Sequence, residues 1–337
     1  MKRNLKIIVS LAALSSCLVL ACLYVILYLP VSGDTTLRAV IVPKGTSFRL
    51  VASELKKAGV IRDLDRFLLA ARLKGVYRKT KAGEYEFSES MAPAEILDML
   101  VQGRVKKHQV TIPEGFNIYE IAGVLEAAGL ADGKEFIGRA KDRDMAAALG
   151  LPGKSLEGYL FPDTYIFTRG MTAREIVLTM TDRFKAVYKG EFEPIARERG
   201  MALNEVVTLA SIIEKETGSG DERGRISAVF HNRIKKRIRL QSDPTVIYGI
   251  EGFDGNLTKT HLKTRTPYNT YMNYGLPPGP IASPGRASIQ AALVPVDEEY
   301  LYFVSRNDGT HYFSKSLKEH NRAVSLYQKR MKMSDSR

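Results

Sequence analysis

Cysteine is almost absent from this chain. Only Cys17 and Cys22 occur, both in one apolar run near the start. The remainder carries no thiol, which excludes a disulfide framework, thiol catalysis and a cysteine-ligated metal there. Histidine is scarce and scattered. His108, His231, His261, His311 and His320 make no HExxH spacing, so no metal site is expected. No GxSxG turn is present, which argues against a serine hydrolase of that type. Zinc-ligand spacings, aromatic RNP patterns and long basic blocks are missing as well. No nucleic-acid partner is therefore expected, although the formal net charge is +13. That charge suits an anionic surface such as phospholipid heads or an acidic polymer. Ala148 to Ser155, ALGLPGKS, brushes a phosphate-loop pattern but lacks its first glycine and follows a helical run. No nucleotide or other cofactor is expected.

Charge is missing altogether from Ile7 to Leu29, IIVSLAALSSCLVLACLYVILYL, just after Lys2, Arg3 and Lys6. At 1.5 Å per residue this run covers the roughly 30 Å hydrocarbon core of a bilayer. Positive flanks stay cytoplasmic, so residues 1–6 read as a cytoplasmic tail and 7–29 as a single membrane span. Everything past about Pro30 then lies outside the cytoplasm. A cleavable signal has a shorter apolar region, roughly 7–15 residues. Leu14-Ser15-Ser16-Cys17 resembles a lipobox, yet the apolar run continues to Leu29. An uncut anchor is the expectation.

Beyond the polar linker Ser32–Leu37, a unit repeats. VPKGTSFRLVASELKKAGV begins at Val42 and IPEGFNIYEIAGVLEAAGL at Ile112, aligning Pro43, Gly45, Ala52, Leu55 and Gly59 with Pro113, Gly115, Ala122, Leu125 and Gly129. Each copy reads as a strand end, a Pro-x-Gly turn, a helix and a glycine stop, with Ser47 and Asn117 as N-caps. Gly83–Phe87 reads as a strand and Ala92–Val101 as a helix. The arrangement resembles a LysM-like module, a small fold associated with cell-wall glycan; the other reading is that Pro-x-Gly is merely a sound helix start. Gly133–Lys154 reads as polar helix.

The composition changes at Ser155. Leu156–Phe167 is dense in aromatics with two acids, Glu157 and Asp163, a mixture that suits sugar rings but also an ordinary core strand. Ala173–Tyr188 reads as amphipathic helix. In Leu203–Thr217, Val206, Val207, Ala210 and Ile213 recur at helical spacing and Glu214 falls on the same stripe. A carboxyl on an apolar stripe is desolvated when ionised, so its pKa is expected to rise, the condition for a general acid. Glu216 lies about 200° round the same helix, and the pattern alone does not choose between the two, nor exclude that Glu214 is a surface charge. Arg225–Arg233 reads as another helix. Asp243 before Pro244 reads as a loop entering a short helix. The Pro- and Gly-rich run Pro267–Pro280 reads as a long loop of the kind that carries function. Tyr300–Ser305 and His311–Phe313 read as a hairpin, and Leu317–Arg330 as a closing helix.

Four ordered motifs, LEGYLFPDTY, ASIIEKET, FHNR with LQSDPTVIYG, and YNTY with GLPPGPI and PG, resemble the YceG-like endolytic murein transglycosylase family along the whole chain. The resemblance implies an α+β protein: an N-terminal transmembrane helix, a LysM-like wall-binding subdomain at 38–107, and a mixed α+β catalytic domain at 108–337 that includes the second repeat unit near 110–130. It implies a membrane-anchored lyase that cuts nascent peptidoglycan glycan strands, ending their elongation, with peptidoglycan synthases as partners. In that family the acid is the first glutamate of EKE, Glu214 here. Motif membership adds Glu157, Asp163, Asn232, Gln241, Ser242, Asp243 and Tyr268 as candidate substrate-binding residues. Ser283 stands where the family pattern leads one to expect asparagine. A lytic transglycosylase needs one acid, because the muramic 6-hydroxyl attacks the anomeric carbon and leaves a 1,6-anhydro end. A two-carboxylate muramidase would pair Glu214 with Asp163 or Asp243. A non-enzymatic wall-binding scaffold is the third reading.

Overall fold

The computed structural model describes residues 2–218 and 220–329. Met1 of the expected tail and Arg330, the expected end of the closing helix, lie outside the described residues. The chain divides into two compact units, Met1–Gln109 with Ile166–Met171, and Val110–Tyr165 with Thr172–Arg337.

The first unit begins with α1 (Lys2–Tyr28). Among the described residues α1 is the only helix long and apolar enough to cross a membrane, and its span Leu5–Tyr28 is unburied. Only its far end, at Ile26 and Leu27, packs on the unit's core. Then come β1 (Arg38–Val42), α2 (Phe48–Lys57), α3 (Leu64–Leu73), β2 (Gly83–Phe87) and α4 (Pro93–Gln102). β1 and β2 pair antiparallel, Val40 opposite Tyr85 and Val42 opposite Gly83. Val40, Val42, Tyr85 and Phe87 face a core closed by Val51 and Leu55 of α2 and Leu97 and Leu100 of α4. Alternation along β1 does the sorting, since Ile41 between the two valines is exposed.

β3 (His108–Thr111) and β4 (Thr164–Phe167) form a two-stranded sheet. The second copy of the repeat follows β3 as α5 (Ile118–Ala127) and α6 (Gly133–Ala140), with α7 (Arg143–Ala148) after them. The equivalent glycines share the left-handed backbone that their turns require: Gly45 and Gly115 at φ 75° and 78°, Gly59 and Gly129 at 74° and 64°. The N-caps fall where the hydroxyl and amide stand in sequence. Ser47 Oγ accepts from Leu50 N, and Asn117 Oδ1 accepts from Tyr119 N and Glu120 N. The expected single helix over 133–154 is two short ones, because Asp142 caps a new start: its Oδ1 accepts from Asp144 N and Met145 N.

α8 (Ala173–Val187) runs into a π-helical turn at Tyr188–Phe192, then α9 (Glu193–Glu198) and α10 (Leu203–Glu216). α10 is not a one-stripe helix. Every residue from Val206 to Ile213 is buried, Thr208 and Ser211 included. α11 (Arg223–Lys235), α12 (Asp243–Tyr248), α13 (Lys259–Lys263) and α14 (Arg286–Leu293) complete the helical layer, with α10 packed on α11, α12 and α14. The expected loop over 267–280 holds no helix or strand. β5 (Tyr302–Ser305) and β6 (His311–Ser314) form the hairpin, Ser305 opposite His311, before α15 (Leu317–Val324) and a π-helical end.

One glycine fixes how the loop at 155–163 lies on this layer. Gly158 has φ +81°, and a Cβ there would stand 2.4 Å from Pro280 Cβ and 2.9 Å from Val207 Cγ1. Gly158→Ala combines left-handed strain of about 1–2 kcal/mol with overpacking of about 1–3 kcal/mol. A loss of roughly 2–5 kcal/mol is expected by urea unfolding; a loss below about 1 kcal/mol would show that the loop yields freely.

Candidate active site

α10 ends on an acid that its neighbours hold in place. Glu214 follows Ile213 at the last turn, and its side chain keeps 5% of its surface exposed. Its surroundings are polar. Oε1 accepts from Arg223 Nη2 at 3.2 Å, and Oε2 accepts from the backbone N of Gly285 at 2.8 Å. Arg223 opens α11 and Gly285 caps α14, so three helix ends meet at one carboxylate. The N-terminus of α14 directs a free N–H and the positive end of its dipole at it.

The turn of the second repeat closes over this point. A Cβ on Gly115 would lie 3.5 Å from Glu214 Cγ. Gly115 is tied down by its N donating to Ser283 O at 2.9 Å and by Lys215 Nζ donating to its O at 3.2 Å, while Ser283 N donates to Phe116 O at 2.8 Å. Ser283 thus works through its backbone. Its buried Oγ has no hydrogen-bond partner among the described residues, and a shorter side chain than asparagine leaves these contacts intact. Beside it sits Glu114, whose carboxyl occupies the space a Cβ on Gly285 would take. Burial first, and the Glu214 charge second, push Glu114 above the usual carboxylate range, against the pull of Arg223 and Arg286.

Two residues along, Asn117 lines a cleft of about 710 Å³ with Tyr119, Lys141, Tyr248 and Phe253. Chain reach puts its start within about 7 Å of Gly115. Lys141 Nζ sits 4.4 Å from the Tyr119 ring centroid. Under this cleft lies Glu157, which is buried. Its Oε2 accepts from Ile118 N at 3.3 Å and Tyr248 OH at 3.1 Å, while Oε1 has no partner. Desolvation lifts its pKa to about 7 despite those donors. Tyr268 packs on Tyr248, ring centroids 4.9 Å apart, and burial followed by the Glu157 charge raises it.

The other candidates gather elsewhere in the same unit. Ser242 Oγ donates to Glu216, and Asp243 Oδ1 accepts from Tyr271 OH at 2.7 Å. Glu216 is lifted to about 7 by desolvation, with Asp243 adding to it and Ser242 and Arg233 opposing. Gln241 has a left-handed backbone at φ 53° and donates its N to Thr270 O. Asn232 Nδ2 donates to Glu298 O and Tyr300 O, anchoring the approach to β5. Asp163 accepts from Arg183 Nε at 2.7 Å and from Thr164 N at 2.8 Å; against desolvation, these donors hold it below the carboxylate range. Neither Asp163 nor Asp243 hydrogen-bonds Glu214. The aromatics at 156–167 are mostly core, with Tyr159, Phe161 and Phe167 buried; their faces are not open to a sugar. Among the described residues no cluster of three His, Cys, Asp or Glu could hold a metal ion.

Residues 40–326 match the family described as YceG-like. The chain belongs to that family. A Bacillus subtilis protein named endolytic murein transglycosylase is 33% identical over 88% of this chain and 87% of its own length. A Streptococcus pneumoniae protein of the same name is 29% identical over 84% of this chain, which spans 57% of that longer relative. A crystal structure of a YceG-like protein from Listeria monocytogenes has a TM-score of 0.60 and 31% identity, covering 86% of this chain and 99% of its own. The α+β class with an N-terminal apolar helix accords with this YceG-like likeness. The motifs do not announce Glu114 and Arg223, nor Tyr119, Lys141 and Phe253 of the cleft; the only signal for Glu114 was its place in the repeated Pro-x-Gly turn.

Proposed function

We propose that this chain is an endolytic peptidoglycan lytic transglycosylase that cleaves the β-1,4 bond between N-acetylmuramic acid and N-acetylglucosamine, with Glu214 as its acid and base. The observation that carries the reading is the Glu214 carboxyl, fixed by Arg223 and Gly285 N where the ends of α10, α11 and α14 meet. The name borne by the family relatives supports the substrate.

One carboxyl suffices chemically. Glu214 gives its proton to the glycosidic oxygen as the C1–O bond breaks and an oxocarbenium-like centre forms. The carboxylate so formed takes the proton of the muramic O6 hydroxyl as O6 bonds to C1, closing the 1,6-anhydro ring. The acid is restored and no water is consumed. Attack within one sugar ring also has the advantage of high effective molarity. Tyr119, Tyr248 and Phe253 offer ring faces to the sugars, and Asn117 and Lys141 offer polar contacts.

In the same reading α1 is an uncut, single-pass anchor with its basic end in the cytoplasm. The unit carrying the first repeat binds wall glycan, and strand release ends elongation by a neighbouring synthase. The deciding assay incubates the full-length chain in detergent with purified glycan strands and examines the new ends by mass spectrometry. Ends carrying 1,6-anhydro-muramic acid are expected. Hydrated reducing ends would identify a muramidase, and uncut strands a scaffold.

A further inference from the structure

On the reading just proposed, Glu214 must carry a proton when it meets the glycosidic oxygen. Yet the two donors in contact with it, the Arg223 guanidinium and Gly285 N, both stabilise negative charge there. One neighbouring group acts in the opposite sense. The carboxyl of Glu114 lies against Gly285, its Oε1 and Oε2 within 1.9 and 2.6 Å of where a Cβ of that residue would be. A Cβ on Gly115, the next residue, would lie 3.5 Å from Glu214 Cγ, and residues 115–116 are held by two backbone hydrogen bonds with Ser283 and one from Lys215 Nζ. Glu114 is therefore aimed by a rigid turn at the residue that binds Glu214.

We propose that Glu114 is a positioning residue that acts through Glu214: its carboxyl, held against Gly285 beside the Glu214 carboxyl, disfavours a second negative charge there, so that Glu214 enters each turnover protonated. The charged groups facing Glu114 are Glu214 from α10, Arg223 from α11 and Arg286 from α14. Arg286 is engaged by Glu191 at 3.1 Å through both oxygens, and Lys215 is turned to Gly115 O. The negative charge that faces Glu114 is that of Glu214. A carboxylate facing a second carboxylate is disfavoured relative to its protonated form. The upward displacement of Glu114 by burial and by Glu214 has this sense. No bond is made to Glu114. The proton that leaves Glu214 for the leaving oxygen returns from O6, so the pair ends each cycle with the proton it began with.

The pair has a signature that mere packing lacks. In pH–rate profiles of the full-length chain in detergent, E114Q is expected to move the alkaline limb to lower pH by about one unit, a roughly 10-fold loss above the limb. R223Q is expected to move it to higher pH. Independently of activity, the carboxyl carbon of Glu114 can be followed by NMR in glutamate-labelled protein; in E214Q its titration should shift to lower pH, since its charged neighbour is gone. An unmoved alkaline limb in a folded E114Q chain would overturn the proposal, as would an unmoved Glu114 titration in E214Q. If the parent chain makes no anhydro ends, the functional reading fails, and the NMR titration alone still decides whether the pair exists.

Discussion

Glu214→Gln is expected to reduce the formation of 1,6-anhydro ends by about 10²- to 10⁴-fold, the contribution that a positioned acid–base group makes to such a step. The substitution keeps the shape and the acceptor oxygen, so Gly285 N retains a partner and α10 keeps its buried length. What it removes is the transferable proton and the charge opposite Arg223. The loss should therefore fall on kcat and leave strand binding within a few-fold. Asp163→Asn and Asp243→Asn serve as controls. Asp163 is engaged by Arg183 and Asp243 by Tyr271, and neither hydrogen-bonds Glu214, so their activity should stay within about one order of magnitude of the parent. Retained cleavage in E214Q, with Asp163→Asn inactive, would transfer the chemistry to the other carboxyl.

The helix that carries Glu214 was legible in sequence and the partners of its carboxyl were not, for a physical reason. LNEVVTLASIIEKE declares a helix because its apolar residues recur at helical spacing and Glu205 reaches back to Ala202 N. The reading of one apolar stripe was too narrow, since Thr208 and Ser211 are buried as well; Ser211 Oγ donates to Thr208 O and accepts from Ile281 N. A periodicity argument counts side chains but not the internal hydrogen bonds that let polar ones stay inside. The expectation of an apolar setting for Glu214 failed in the same way. Its neighbours come from Arg223 and Gly285, two helix ends whose approach depends on packing that no local pattern states. Glu114 stands 100 residues before Glu214 in a turn whose Pro and Gly drew attention to helix initiation. By contrast, the caps at Ser47 and Asn117, the entry to α12 at Asp243 and the hairpin that ends in His311–Phe313 were readable, because each depends on chemistry within a few residues. Asp163 looked like a cleft acid among aromatics, and only Arg183, a helix away, shows it to be an ion pair.

Two enclosed glutamates whose pKa values are raised, Glu157 and Glu216, give the fold a dependence on pH. Glu157 and Glu216 each take a proton near pH 7 when folded, against 4.5 for an ordinary glutamate, with desolvation the main cause in both. Between pH 4.5 and 7 the folded chain then binds more protons than the unfolded one. Stability contributed by these groups is full below 4.5, falls as pH rises through that window, and is level above it. Each displacement corresponds to roughly 3 kcal/mol. Glu157→Gln should therefore be near neutral at pH 5 and stabilising by up to roughly 3 kcal/mol at pH 8, because the amide keeps an acceptor for Ile118 N and Tyr248 OH without a charge to desolvate. Glu216→Gln should behave alike while Ser242 Oγ keeps its acceptor. Urea unfolding of parent and variants at pH 5 and pH 8 reads this directly as a difference of differences, in which all other titrations cancel. A stability change for Glu157→Gln that is equal at the two pH values would show that Glu157 is ionised throughout, and that its unpartnered Oε1 finds compensation in the folded chain.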